Sequence, residues 1–116
     1  MGTPRQLREH FFHVSPKENR VGIESEGLVP HNRHEGVQDV PAGVYVNQGK
    51  PDIDYGDDIY AIKKEAIDPI PDPMDELGFY SKHPVGISDF NRVGHVFINK
   101  GHTEIHWHKE EDCPNG

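Results

Sequence analysis

Nine of the 116 residues are histidines, and their imidazoles are the first groups to weigh for chemistry. His102, His106 and His108 fall close together, with Glu104 between them. Three imidazoles on one segment can hold zinc. However, His102 and His106 have helical spacing and His106 and His108 have strand spacing, so a third ligand must come from elsewhere. Solvated, titrating histidines are the expected state, and no metal is assigned. Two imidazoles can also share acid and base work on RNA, one taking the proton of a 2′-hydroxyl and the other protonating the leaving oxygen. Nine histidines make some such pair almost unavoidable, so the count carries little weight. His13 and Tyr45 supply a hydrogen-bonding ring and a flat π-face. Spacing alone favours a strand-end histidine and an ordinary core tyrosine.

The elements that must position these groups are readable in order. Phe11, Phe12 and His13 read as a short apolar strand that stops at Ser15-Pro16. Ser15 with Glu18 forms a capping-box pattern, and Pro16 falls at the first helical position, so a helix is predicted over 16–26. Gly27 stands where a left-handed stop is wanted. Gly43-Val44-Tyr45-Val46 reads as a buried strand, and Ile59-Tyr60-Ala61-Ile62 as a central one with Tyr60 packed and its hydroxyl at the edge. Residues 29–42 carry prolines, histidines and mixed charge and read as a surface loop. Residues 68–84 are proline-dense and predict an irregular connection, a lid or partner surface to which Phe79 and Tyr80 add aromatic contacts. Val93 to Ile98 and Thr103 to His108 read as a β-hairpin turning at Asn99-Lys100-Gly101. Alternation on its second arm puts Glu104, His106 and His108 on one face and Thr103, Ile105 and Trp107 on the other.

The length predicts a single domain over 1–116, with residues 109–116 a frayed acidic tail. Only 33% of residues are hydrophobic and 28% are charged, which implies a small core and long loops. A formal net charge of −8 repels phosphate backbones and disfavours a protein that grips nucleic acid through its overall field, leaving nucleic acid only as a locally bound substrate. The single cysteine, Cys113, excludes an internal disulfide and a cysteine zinc cluster. No apolar run is long enough for a membrane span or a signal peptide, which points to a cytoplasmic location.

The order of a strand ending in histidine, a helix, an EGL stop, a polar loop and a GVY strand resembles the ADP-ribosyltransferase-like fold, which includes RNA 2′-phosphotransferases and DNA- or protein-modifying transferases. The residues that carry the resemblance are FHVSPKENRVGIESEGLVP at 12–30, GVYV at 43–46 and DDIYAIK at 57–63. It implies a small α+β domain, a mostly antiparallel split β-sheet around a cleft with one or two short helices. It also implies NAD as cofactor, held by His13 with Val14 and Ser15, by Tyr45 and by Arg33 on the following loop. In the family the histidine hydrogen-bonds a ribose hydroxyl and the tyrosine ring stacks on the nicotinamide. A late-strand glutamate stabilises the oxocarbenium-like transition state as nicotinamide leaves. Glu104 and His95 are the candidates for that catalytic position. If His95 fills it, the chain binds a nucleotide without transfer, as an inhibitor or accessory protein of the same fold would, or runs another reaction such as 2′-phosphate transfer. For the latter, Arg20, Arg33 and Arg92 are the available cations. The acceptor of a transferred group is not legible.

Overall fold

The computed structural model describes residues 5–30, 43–53, 56–72 and 78–108. At its heart is a strand of five wholly buried residues, β3 (Asp58–Ile62), and the apolar run at 59–62 explains why it is interior. On one side it pairs with β1 (Phe11–Ser15), and on the other with β6 (Phe90–Asn99). β1 in turn pairs with β2 (Val44–Gln48), β2 with β5 (Gly78–Ser81), and β5 with the two-residue β4 (Ile70–Pro71). β7 (His102–Trp107) closes the other edge against β6. The result is a seven-stranded sheet in the order β4-β5-β2-β1-β3-β6-β7, with every pairing antiparallel. With one short α-helix, α1 (Arg20–Glu26), this is an α+β architecture.

Both faces of the sheet carry apolar side chains, as alternation along β1 and β3 requires. On the first face Phe11, Val44, Val46, Tyr60, Ile62 and Phe90 pack with Leu28 and Val85, and Ile23 of α1 lies against them. On the second, Phe12, Ile59, Ala61 and Val93 pack with Leu7, flanked by Val14, Ile105 and Trp107. Phe12 and Trp107 meet edge to face at 5.9 Å although β3 and β6 separate their strands. Three strand steps in a flat sheet span roughly 14 Å, so the sheet curls over this second face.

α1 begins later and more simply than its sequence suggests. The capping box does not form. Ser15 is buried in β1, where its hydroxyl accepts from Asn19 Nδ2 at 3.2 Å, and residues 17–19 make a 3-10 turn before α1 starts. What holds the helix to the sheet is an ion pair: Arg20 donates from Nε and Nη2 to the two oxygens of Asp58 at 2.8 and 2.7 Å. Asp58 is fully buried, and the pairing raises the Arg20 guanidinium above its usual pKa, first through the hydrogen bond and then through the charge. Glu24 adds a second tether, accepting from the Tyr60 hydroxyl at 3.3 Å and from Arg92 Nε at 3.1 Å. Burial and the Glu24 charge push the Tyr60 phenol up.

Gly27 ends α1 with φ +91°, and a Cβ there would stand 2.6 Å from the Val85 carbonyl oxygen. That close approach lets Leu28 and Val85 exchange backbone hydrogen bonds at 2.9 Å each. The β6–β7 turn is tighter than expected, with Lys100 and Gly101 both at positive φ, the pattern of a two-residue hairpin loop. The proline-dense stretch differs from its expectation more plainly. Phe79 and Tyr80 belong to β5 and pair with Val46 and Tyr45, so they are part of the sheet and not of a lid. Pro71 is tolerated because β4 is an edge strand that needs no N–H from it. Among the described residues no helix is long and apolar enough to cross a membrane.

Candidate functional site

One concavity combines a buried imidazole with several polar side chains. It is a cleft of about 320 Å³ between β1, the helical segment after it and the start of β2. His13 and Ser15 line it from β1 and Val44 from β2, with Glu18, Asn19, Gly22, Ile23 and Glu26 on the helical side. Alternation explains the β1 contribution, since Phe11, His13 and Ser15 share the face over which α1 lies. Helical periodicity explains the other wall. Glu18, Gly22 and Glu26 recur every fourth residue and therefore stack on one side of the chain. Gly22 leaves that wall open, with nothing from outside its own helical turn within 4 Å of where a Cβ would be, among the described residues.

His13 is 8% exposed, and its Nδ1 lies 2.9 Å from the Tyr45 carbonyl oxygen. A carbonyl can only accept, so Nδ1 carries the proton. In the neutral ring Nε2 is then the lone-pair nitrogen, a hydrogen-bond acceptor suited to a hydroxyl group. Ser15 and Asn19 bring a hydroxyl and an amide to the same wall, and Glu18 and Glu26 bring two carboxylates. The described lining contains no lysine or arginine. The two carboxylates on this wall favour a hydroxyl-bearing or cationic group over a bare phosphate beside them.

The other residues singled out in the sequence are distributed differently. Tyr45 contributes its backbone oxygen to His13, but its ring is elsewhere. Phe12 pairs with Asn47, which puts Tyr45 on the Phe12 face of the sheet, opposite His13. There its ring stacks on Tyr80 with centroids 5.4 Å apart and planes 28° apart. Val14 shares that second face and packs against the Phe12 and Trp107 cluster. His95 lies directly across from Asp58, two strands from β1, and Glu104 pairs with Phe97 on β7, three strands from β1. At roughly 4.8 Å per strand step, Glu104 is about 14 Å from the histidine strand, with the Arg20–Asp58 pair in between. Neither Glu104 nor His95 reaches the cleft. Arg33 lies outside the described residues.

Glu18, Asn19, Gly22 and Glu26 were not singled out as site residues from the sequence. The fourfold spacing of Glu18, Gly22 and Glu26 was the available signal, but a short run at helical spacing most often marks a solvated helix face, and Glu18 read naturally as a capping residue. The histidines at the other end of the first face also group differently from their sequence spacing. His95 joins His106 and His108, with centroids 5.0 and 5.7 Å away, and His102 remains apart at the hairpin turn. Comparison of the chain with protein-family models, with curated proteins and with solved structures finds no match.

Proposed function

We propose that this domain binds a ribose-bearing nucleotide, with NAD the first candidate, in an ADP-ribosyltransferase-like arrangement of strand, helix and strand. The observation that carries the reading is His13, a buried imidazole whose Nδ1–H is held by the Tyr45 carbonyl, on the wall of a cleft beside Ser15 and Asn19. A ribose hydroxyl entering the cleft meets the edge of this imidazole, and Ser15 and Asn19 offer further polar contacts. The two glutamates favour the cationic nicotinamide end over the diphosphate. The cleft volume, about 320 Å³, is near the lower end of small-molecule sites at ~300–1,000 Å³, which suits a nucleoside-sized portion of the ligand. The aromatic stacking expected of Tyr45 does not enter this reading, because its ring is on the other face.

A transferase reading is favoured by one further feature, the presence of Glu18 and Glu26 in the cleft that holds His13. A carboxylate there can stabilise the positive charge that develops on the nicotinamide ribose as nicotinamide departs, the role expected earlier of Glu104. Glu26, at the end of α1, is the stronger candidate, since Glu18 lies in the 3-10 turn ahead of it.

Titration with NAD, followed by amide and imidazole chemical shifts, tests the binding. Shifts are expected at His13, Ser15, Gly22 and Ile23 and not at the Trp107 indole. His13→Ala should weaken binding roughly tenfold, the value of one lost hydrogen bond of ~1–1.5 kcal/mol. No saturable shift with NAD or nicotinamide riboside, or equal affinity in His13→Ala, overturns the reading. Nicotinamide release over hours that is lost in Glu26→Gln separates transfer from binding alone.

A further inference from the structure

We infer that His95, His106 and His108 form a binding site for a first-row transition metal ion, with zinc the reference case, on the sheet face shared by His13 but at its opposite end. Three facts meet there. His95 Nδ1 and His108 Nε2 face each other at 3.5 Å. Zinc holds imidazole nitrogens at ~2.0–2.1 Å in tetrahedral geometry, which puts two ligand nitrogens roughly 3.4 Å apart. As a direct hydrogen bond, 3.5 Å is at the outer limit of useful length. The pair is spaced for an ion between the nitrogens.

The second fact is the tautomer of His108. Its Nδ1 lies 3.3 Å from the Arg92 carbonyl oxygen, which can only accept, so the proton is on Nδ1 and the Nε2 lone pair points toward His95. A ligating histidine characteristically donates its other ring N–H in this way, which fixes its orientation and raises its basicity. The backbone N–H of His108 donates to the Val93 carbonyl at 2.7 Å, anchoring the residue just past the end of β7.

The third is His106. Register places it directly across from His95, and their centroids are 5.0 Å apart, against roughly 5 Å for two imidazoles on one zinc ion. No three donors among the described residues converge on one point as they stand. His106 is exposed, so its ring turns toward the His95–His108 gap at little cost, and solvent completes the coordination. The surrounding charges permit a cation: Arg20 is paired with Asp58 and Arg92 with Glu24.

The test is calorimetric titration of the tag-free chain with Zn²⁺, with Co²⁺ as a spectroscopic probe. One equivalent should bind, and Co²⁺ should give the intense visible bands of a tetrahedral nitrogen-rich site. His95→Asn, His106→Asn and His108→Asn should each weaken binding by at least about tenfold, and His102→Asn should leave it unchanged. Nitrogen shifts of the wild-type imidazoles report the ligands without any substitution, and His95 Nδ1 and His108 Nε2 should move on zinc addition. Binding that survives loss of His95 and His108, that depends equally on His102, or that fails to saturate at millimolar zinc overturns the assignment.

Discussion

Replacing Arg20 with methionine tests the contact on which the shape of the cleft depends. The guanidinium makes two short hydrogen bonds to Asp58, a carboxylate with no exposed surface in an interior strand. The methionine keeps most of the aliphatic stem and removes the charge. Breaking a buried pair by removing one partner costs about 3–5 kcal/mol, most of it the penalty for the charge left behind. Here the Arg20 side chain is itself 39% exposed, so water entering where the guanidinium lay offsets part of that penalty. The expected loss is about 2–3 kcal/mol. That is a large fraction of the ~5–15 kcal/mol that stabilises a domain of this kind. With a urea m-value of about 1.5 kcal/mol/M, the midpoint should fall by roughly 1.3–2 M. Adding Asp58→Asn to Arg20→Met removes the stranded charge and should recover at least about 1 kcal/mol, a coupling that a double-mutant cycle reads directly. Hydrogen exchange at Gly22 and Ile23 should quicken in the single variant, because α1 loses one of its two tethers and keeps only Glu24. A loss below about 0.5 kcal/mol with no recovery in the double variant would refute the reasoning and reduce the pair to a surface contact.

Other substitutions probe separate links. His10 is 6% exposed with neither ring nitrogen hydrogen-bonded among the described residues, and burial holds its pKa below the ordinary 6.5. Above that value both folded and unfolded states are neutral there. As the pH falls through it, the unfolded chain takes up a proton that the folded chain resists, so stability should decline below about pH 6.5. Urea midpoints at pH 7.5 and 5.5 should show that decline and a shallower one in His10→Leu; equal slopes would remove His10 as a source. Gly22→Ala should raise stability by about 0.5–1 kcal/mol, since it removes a helix-interior glycine into open space, while narrowing the cleft and weakening any ligand held there. Gly27→Ala should do the reverse, costing at least ~1–2 kcal/mol for the left-handed conformation and more for the approach to the Val85 oxygen. Thermal melts of the two alanine variants should therefore shift in opposite directions.

Local structure was largely legible in the sequence. The apolar run at 59–62 became β3, the stop at Gly27 has the positive φ expected of it, and the alternation of residues 103–108 put Glu104 and His106 on one face and Ile105 and Trp107 on the other. These features depend on neighbours along the chain, on the twofold repeat of a strand or on the permissive backbone of glycine, so composition and spacing suffice to place them. His13 was legible as a strand residue, although β1 runs two residues past it to Ser15, so the histidine is at mid-strand and not at the strand end.

What the chain order alone did not decide was which strands lie side by side and in what register. His13 and Tyr45 are on adjoining strands, as expected, yet a single-residue difference in pairing parity determines whether two rings share a face, and here Tyr45 turned toward Tyr80. The same holds for Glu104, which belongs to a well-predicted hairpin but is carried to the far edge of the sheet by the order β1-β3-β6-β7. His95, distant in sequence from His106 and His108, is brought to them by the β6–β7 register, and Glu26 reaches the cleft because the Arg20–Asp58 pair holds α1 across β1 and β3. The sequence by itself determined β1, β2, β3 and the β6–β7 hairpin and the way their side chains alternate, while β4 and β5 lay unread in the proline-dense stretch and α1 starts later than its capping pattern suggests. Only the tertiary structure decided which of those side chains meet, because strand order and register are set by the packing of both sheet faces at once and leave no local periodic trace.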